Sequence, residues 1–323
     1  MPAPRILLVK LSSLGDVIHL LPAVSDLRGR VPGAHVGWAV EEAYRPLVRL
    51  HPGVDDAIAV PLRALRREPF SPRRWRALAA ARRALRAGAW DYVIDAQGLL
   101  KSACVARWAR GPAFGLDARS ARERIASRFY DVKVPVARDL HAVERNRRLL
   151  GQVFGYAVDA APRYGLAPPS APPAWVPARR YAVLLHAASR PAKLWPEARW
   201  IELARLFSAE GWATVFPGGT AAERDAAARL AATAGPDALA APAMDLGEAA
   251  ALLAHAGAVV GVDTGLTHLA VALDVPTVVG IYCATSPRLT GLHGGASAAN
   301  LGGPAAAPEV REVAAAAGLG AGA

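Results

Sequence analysis

Gly261-Val262-Asp263-Thr264-Gly265-Leu266-Thr267-His268 is the stretch on which the reading of this chain turns. The apolar run Ala258 to Val262 predicts a short buried strand, and the small-residue segment Leu266 to Leu273 predicts a helix that starts at once after Asp-Thr-Gly. A strand that passes into a helix through glycine leaves free backbone N–H groups and a positive dipole end at the turn, which is an anion site. Asp263 falls at the carboxyl end of the strand, where open α/β sheets bind their ligands. The competing account is that Asp263 only caps the helix. A second strand-loop-helix turn near the other end of the chain, Lys10 to Asp16, also closes on Gly-Asp.

Working outward, short apolar runs alternate with helical patterns. Strands are expected at Ile6–Val9, Val36–Val40, Ala57–Val60, Tyr92–Asp95 and Ala113–Leu116, with helices at Val17–Leu27, Ala43–Leu50, Trp75–Ala87, Leu99–Ala109, Ala121–Phe129 and His141–Phe154. Six prolines then fall between Ala160 and Arg180, the composition of a connecting arm. Beyond it strands are expected at Tyr181–His186, Ala213–Pro217, Ala238–Ala240, Ala258–Val262 and Thr277–Tyr282. The helices between and after them are Glu197–Glu210, Ala221–Ala234, Leu246–Ala256, Gly265–Leu273 and Pro308–Ala317. This is an α/β chain of two doubly wound domains: residues 1–160, a Pro-rich linker 161–180, and residues 181–323, with the C-terminal tail packing back on the first domain.

At 323 residues, 53% hydrophobic and 20% charged, the chain is long enough for two cores and is not a disordered one. Cys104 and Cys283 are alone and far apart, which argues against a disulfide framework or a cysteine zinc site and fits a reducing compartment. Lys10 and Asp16 interrupt the first apolar run, so no signal peptide is expected, and a soluble cytoplasmic protein is. The net charge of +11 is uneven. Residues 1–165 hold 28 Lys and Arg against 15 Asp and Glu, and residues 166–323 hold 10 against 12. Nine arginines and one acid, Glu68, lie between Arg63 and Arg86, a patch suited to nucleic acid, an anionic membrane or an anionic substrate.

Ser12, Ser13 and Gly15 permit close approach of a substrate, and Asp16 in the first helical turn is placed to take a proton from a hydroxyl, or else to cap the helix. No G-x-G-x-x-G follows Val9, which disfavours dinucleotide binding. After the first strand of the second half, Arg190 and Lys193 can neutralise a diphosphate and Ser189 can donate to it. Glu223, near the start of a helix opened by Gly218-Gly219-Thr220, is a ribose acceptor or simply a first-turn acid. His268 lies one turn after Asp263. The histidines have no metal spacing and there is no D-x-D pair, so neither metal nor cofactor is expected.

Four blocks together resemble the lipopolysaccharide heptosyltransferases of glycosyltransferase family 9. They are Val9-Lys10-Leu11-Ser12-Ser13-Leu14-Gly15-Asp16-Val17-Ile18-His19, Asp95-Ala96-Gln97-Gly98-Leu99-Leu100-Lys101-Ser102, His141-Ala142-Val143-Glu144-Arg145, and Val262 to His268. The likeness runs from Arg5 to about Leu292, and the Ser-Ser-Leu-Gly-Asp-Val-Ile-His block favours the type that adds the first heptose. The resemblance implies a GT-B architecture, two Rossmann-like doubly wound domains facing across a cleft. It implies transfer of heptose from ADP-L-glycero-D-manno-heptose to a Kdo hydroxyl of Kdo-lipid A, by an inverting reaction, on the cytoplasmic face of the inner membrane. Carried over by residue, Asp16 is the catalytic base, with Ser13, Gly15, Arg63, Arg66, Arg67 and Arg122 toward the acceptor. Ser189, Arg190, Lys193, Glu223, Met244, Asp263, Thr264, Gly265 and His268 are toward the donor. Ala188 stands where the family pattern has a hydroxyl residue, which leaves Ser189 in that role. The rivals are a family 9 transferase of the second-heptose type or with another core acceptor, and a nucleic-acid-binding protein. The lack of interleaved aromatics beyond Phe70 and Trp75 counts against the last.

Overall fold

The computed structural model describes residues 3–295, 298–304 and 306–320. The chain divides into two compact units, residues 1–167 and 168–323, at a point inside the proline-rich stretch. Both are built on a six-stranded parallel sheet.

In the first unit the elements run β1 Arg5–Val9, α1 Leu14–Ile18, α2 Leu21–Arg30, β2 His35–Glu41, α3 Arg45–Arg49, β3 Asp56–Val60, α4 Leu62–Arg67 and α5 Pro72–Ala87. They continue with β4 Tyr92–Asp95, α6 Leu100–Ala106, β5 Ala113–Leu116, β6 Val132–Val134 and α7 Ala142–Phe154. The sheet order is β3-β2-β1-β4-β5-β6. The chain therefore reverses direction across the sheet between β1 and β4, and the crevice at the carboxyl ends of those two strands is where such sheets bind ligands. Strand β1 reads as an unbroken apolar run because both faces are covered: Ile6, Leu7, Leu8 and Val9 are all fully buried. On one face Leu7, Val9, Ala39, Val60 and Val93 pack with Leu85 and Trp90.

The second unit runs β7 Tyr181–Leu185, α8 Glu197–Ala209, β8 Ala213–Phe216, α9 Ala221–Ala234, β9 Ala238–Ala240 and α10 Leu246–Ala254. It ends with β10 Ala258–Val262, α11 Gly265–Ala272, β11 Val278–Tyr282, β12 Ala298–Gly302 and α12 Val310–Ala316. Its order, β12-β11-β10-β7-β8-β9, repeats that of the first unit, with the reversal between β7 and β10. Trp195, Trp200, Phe207, Trp212 and Phe216 fill one face of the sheet together with Val260, Val262 and Ile281.

Two expectations are corrected. The continuous helix expected over Val17–Leu27 is broken after Ile18, and the second piece restarts with Pro22 in its first turn, a position that needs no N–H. The helix expected at Ala121–Phe129 is only a short 3₁₀ turn, Arg124–Phe129, and α4 and the edge strands β6 and β12 are additional. The tail helix α12 belongs to the second unit. Its apolar face, Val310, Val313 and Ala314, joins the cluster around Trp200 and Phe207. Part of the proline-rich stretch is also anchored: Tyr164 and Leu166 are buried, and the Ala167 N–H donates to the Leu50 carbonyl at 2.8 Å. Gly165, at φ 66°, is needed there, since a Cβ would meet Ser25 Oγ at 2.6 Å.

Candidate active site

At the reversal point of the first sheet, Val9 pairs with Asp95, which brings the loop after β1 beside the loop after β4. The fully buried Asp95 is the hub. Its Oδ1 accepts from the N–H groups of Gln97 (2.8 Å) and Gly98 (3.2 Å), and its Oδ2 accepts from Ser102 Oγ (2.8 Å) and Tyr130 OH (2.7 Å). Burial pushes the Asp95 carboxyl above its ordinary value, and these four donors oppose that shift. Gln97 then clamps the neighbouring loop: Oε1 accepts from Leu11 N–H at 2.8 Å and Nε2 donates to Ser12 O at 2.9 Å. Lys101 Nζ donates to Ser12 Oγ at 2.9 Å. The buried Lys10 donates to Ala96 O (2.7 Å) and Asn146 Oδ1 (3.2 Å). Burial lowers the Lys10 pKa, and the charges of Asp16 and Asp95 act against the lowering.

This scaffold holds Asp16 at the start of α1 and engages one of its two carboxylate oxygens. Its Oδ2 accepts from Ser13 N–H at 2.8 Å and Ser13 Oγ at 3.1 Å, closing the first turn of α1. Arg122, a mostly exposed side chain, puts Nη1 at 3.9 Å from the same oxygen. Among the described residues Oδ1 has no hydrogen-bond partner, and the side chain is 31% exposed. The capping account and the base account are therefore compatible, each using one oxygen.

Of the arginines expected near an acceptor, Arg122 alone joins Asp16. Arg63, at the start of α4, donates its backbone N–H to both carboxylate oxygens of Glu41 at 3.2 Å, and its guanidinium bonds Tyr44 OH and lies over the Tyr44 ring. Burial raises the Glu41 pKa against those contacts. Arg66 and Arg67 are exposed on α4 and, among the described residues, form no ion pair. Gly15 enters α1, where its carbonyl accepts from His19 N–H at 2.9 Å.

In the second unit the quoted stretch folds as expected because Gly261 allows it. A Cβ there would stand 2.4 Å from Thr267 Oγ1, which itself donates to Val262 O at 2.8 Å and pins the first turn of α11 against the strand end. The N-terminus of α11 carries no side-chain cap. Beside it Asp263 gathers three groups: Lys193 Nζ at 2.6 Å and Thr285 Oγ1 at 2.7 Å, both on Oδ2, and His268 Nε2 at 3.8 Å from Oδ1. Burial alone would raise the Asp263 pKa; the contacts from His268, Lys193 and Thr285, with the Lys193 charge, overcome it and hold the carboxyl well below its usual range. A phosphate oxygen arriving at the helix end would meet free N–H groups and an ammonium already in place.

Glu223 is chiefly a cap: its Oε2 accepts from the N–H groups of Gly219 and Thr220, both at 2.9 Å, and Thr220 Oγ1 accepts from Glu223 N–H. It nonetheless lies at the carboxyl end of β8, beside the β7 loop. Met244 is half-buried on the loop after β9, at the same sheet edge. Ser189 and Arg190 are exposed, and among the described residues their side chains bond neither Lys193 nor Asp263. Thr285 was missed: nothing in its local sequence marks it, and only the pairing of β11 with β10 brings it to Asp263. Lys10, Gln97 and Lys101 lie in the quoted blocks without having been assigned roles; their signal was their place after β1 and β4. Among the described residues no three His, Cys, Asp or Glu side chains come together as metal ligands, and no helix is long and apolar enough to cross a membrane.

A family model described as glycosyltransferase family 9 (heptosyltransferase) matches residues 78–317. Lipopolysaccharide heptosyltransferase 1 of Pseudomonas aeruginosa is 44% identical over 302 residues, covering 90% of this chain and 81% of that protein. The protein of the same name from Escherichia coli K12 is 42% identical over 293 residues, covering 90% and 91%. Among solved structures, E. coli heptosyltransferase WaaC with ADP superposes with a TM-score of 0.86 at 38% identity, covering 96% of this chain and 97% of that one. WaaC with ADP-2-deoxy-2-fluoro heptose gives 0.81 at 39%, covering 92% of both chains. E. coli heptosyltransferase II, at 22% identity and a TM-score of 0.74, shares the GT-B fold. With its two repeated doubly wound sheets and these matches over nearly its whole length, the chain belongs to glycosyltransferase family 9, the heptosyltransferases.

Proposed function

We propose that this glycosyltransferase moves L-glycero-D-manno-heptose from ADP-heptose to a Kdo hydroxyl of Kdo-lipid A, with inversion and without a metal ion. The observation that carries the mechanism is the division of the Asp16 carboxylate, with Oδ2 holding α1 and Oδ1 unengaged. Oδ1 takes the acceptor hydroxyl proton as that oxygen forms its bond to the heptose anomeric carbon. The bond from that carbon to the ADP oxygen breaks on the opposite face, and ADP leaves with the electron pair. Lys193, Arg190 and the uncapped start of α11 meet the charge that grows on the diphosphate. Glu223 and Met244 serve the adenosine end of the donor, while Asp263, Thr264, Gly265 and His268 serve the diphosphate and heptose. Transfer then requires the acceptor oxygen at Asp16 to reach the sugar held by the second unit.

Arg63, Arg66, Arg67 and Arg122, with Ser13 and Gly15, receive the anionic acceptor, and the protein works as a peripheral enzyme on the cytoplasmic face of the inner membrane. The names of the relatives support the substrates, and the positive first unit supports the acceptor. The test is ADP release with ADP-heptose and Kdo-lipid A, against an acceptor that already carries the first heptose, each with and without EDTA. Turnover only on the heptosylated acceptor would overturn the assignment, and loss of activity in EDTA would overturn metal independence.

A further inference from the structure

We infer that α4 and α5 form a membrane-docking hairpin, with Phe70 and Trp75 entering the lipid–water interface of an anionic bilayer and the arginines of α5 lying along its phosphates. The inference rests on the reading of the acceptor as a lipid-anchored sugar, and it adds the element that makes contact with the membrane.

The hairpin tip holds the two most exposed large apolar side chains described. Phe70 is 95% exposed and Trp75 54%. Such residues normally turn inward, and an aromatic pair left in water beside cationic side chains is the composition of an interfacial anchor. Trp75 Nε1 donates to Pro69 O at 2.8 Å, so the indole satisfies its polar atom within the hairpin and is held at the tip. The one acid of the segment is already spent: Glu68 accepts from Arg74 at 3.1 and 3.3 Å. Among the described residues Arg66, Arg67, Arg73, Arg76, Arg82, Arg83 and Arg86 form no ion pair, so their charge faces outward uncompensated.

Helix α5 has the matching asymmetry. Ala81 and Leu85 turn to the core, and Arg76, Ala79, Arg82, Arg83 and Arg86 line an open groove of about 520 Å³ on the outside. Between Arg76 and Arg86 the other exposed positions are Ala77, Ala79, Ala80 and Ala84. Ser71 is the sole hydroxyl or amide side chain from Arg63 to Ala87. A nucleic-acid surface would need hydrogen-bonding groups for base edges and ribose, whereas charge on an apolar ground suits headgroup phosphates above acyl chains.

The test is co-sedimentation of the full chain with vesicles of phosphatidylglycerol and phosphatidylethanolamine, or of phosphatidylcholine alone, containing no acceptor. The parent should bind the anionic vesicles only, and should be released at 1 M salt. Phe70→Ser, alone and with Trp75→Ser, should weaken binding by about tenfold or more. Exchanging Arg82, Arg83 and Arg86 for Gln should weaken it about fivefold per residue. In all three variants kcat and KM on an acceptor lacking acyl chains should match the parent, which also verifies folding. Aromatic variants that bind like the parent overturn insertion, and equal binding to both vesicle types overturns the arginine role. A short random RNA that displaces the protein from vesicles overturns the choice of partner. Vesicle binding with no transfer to Kdo-lipid A would instead overturn the acceptor assignment and leave the hairpin's role standing.

Discussion

Lys193 Nζ lies 2.6 Å from Asp263 Oδ2, joining the loop after β7 to the end of β10 across the point where the second sheet reverses its strand order. Both side chains are mostly buried, at 14% and 12% exposure. His268 and this ammonium together hold the buried carboxylate in its charged form, and a bound diphosphate would compete with the carboxylate for the ammonium. Thr285 donates to the same oxygen from the loop after β11.

Lys193→Met should weaken the pH dependence of stability that Asp263 supplies. In the parent the Asp263 pKa is depressed, so its contribution is complete above the unfolded carboxyl value of about 4 and is lost as pH falls below it. Without the ammonium, burial is opposed only by the contacts from His268 and Thr285, so the depression shrinks and the variant has less stability to lose as pH falls. Urea unfolding at pH 3.5, 5 and 7 should show the gap between parent and variant widening with pH. A constant gap would mean that Asp263 does not depend on Lys193.

Asp16→Ala should lower kcat by about 10²–10⁴-fold, the usual loss on removing a positioned base. Because Oδ2 also closes α1, the alanine should cost about 1 kcal/mol of stability as well. Asp16→Asn keeps an acceptor oxygen for Ser13 but removes the base, so it should recover most of the stability and none of the rate. Calorimetric ADP binding should be unchanged in both. An active asparagine variant would leave Asp16 as a cap alone.

His51 supplies a separate acid limit in the first unit. Burial, with the nearby Arg28 charge, lowers its pKa to about 4. The Nδ1 accepts from Gly53 N–H at 2.9 Å, and Nε2 lies 3.0 Å from Ser25 Oγ, a pattern that suits the neutral ring. A depressed histidine contributes fully above its unfolded value of about 6.5 and loses that contribution as pH falls toward 4, by up to about 3 kcal/mol. His51→Gln should flatten the stability profile between pH 6.5 and 4 while lowering it at pH 7. Denaturant titrations across that range read the slope directly.

Gly261→Ala should destabilise the second unit by about 1–3 kcal/mol, since the added methyl meets Thr267 Oγ1 and Leu185 Cβ inside normal contact distance. The displaced first turn of α11 should raise the KM for ADP-heptose, and pairing it with Thr267→Ser should return little, because the hydroxyl that clashes remains. Gly261→Ala/Thr267→Ala removes that hydroxyl and should recover part of the stability.

Much of the fold was legible in the chain because its physics is local. Runs such as Ile6–Val9 and Ala258–Val262 are apolar throughout, as strands covered on both faces must be, and glycine turns follow them directly. The likeness to family 9 also pointed to Asp16, Lys193 and Asp263. Where local signals were weak the boundaries slipped: β6 and β12 are edge strands of mixed composition, and the 3₁₀ turn at Arg124–Phe129 shares its apolar spacing with a helix. What periodicity could not supply was which loops become neighbours. That Thr285 reaches Asp263, that Gln97 clamps Leu11 and Ser12, and that Asp16 divides its two oxygens between a cap and open space all follow from parallel strands aligning their carboxyl ends. Sequence set the strands, their order of appearance and the chemistry at their ends; only the hydrogen-bonded register between distant strands decided which of those end groups share a site, because that register is a non-local choice.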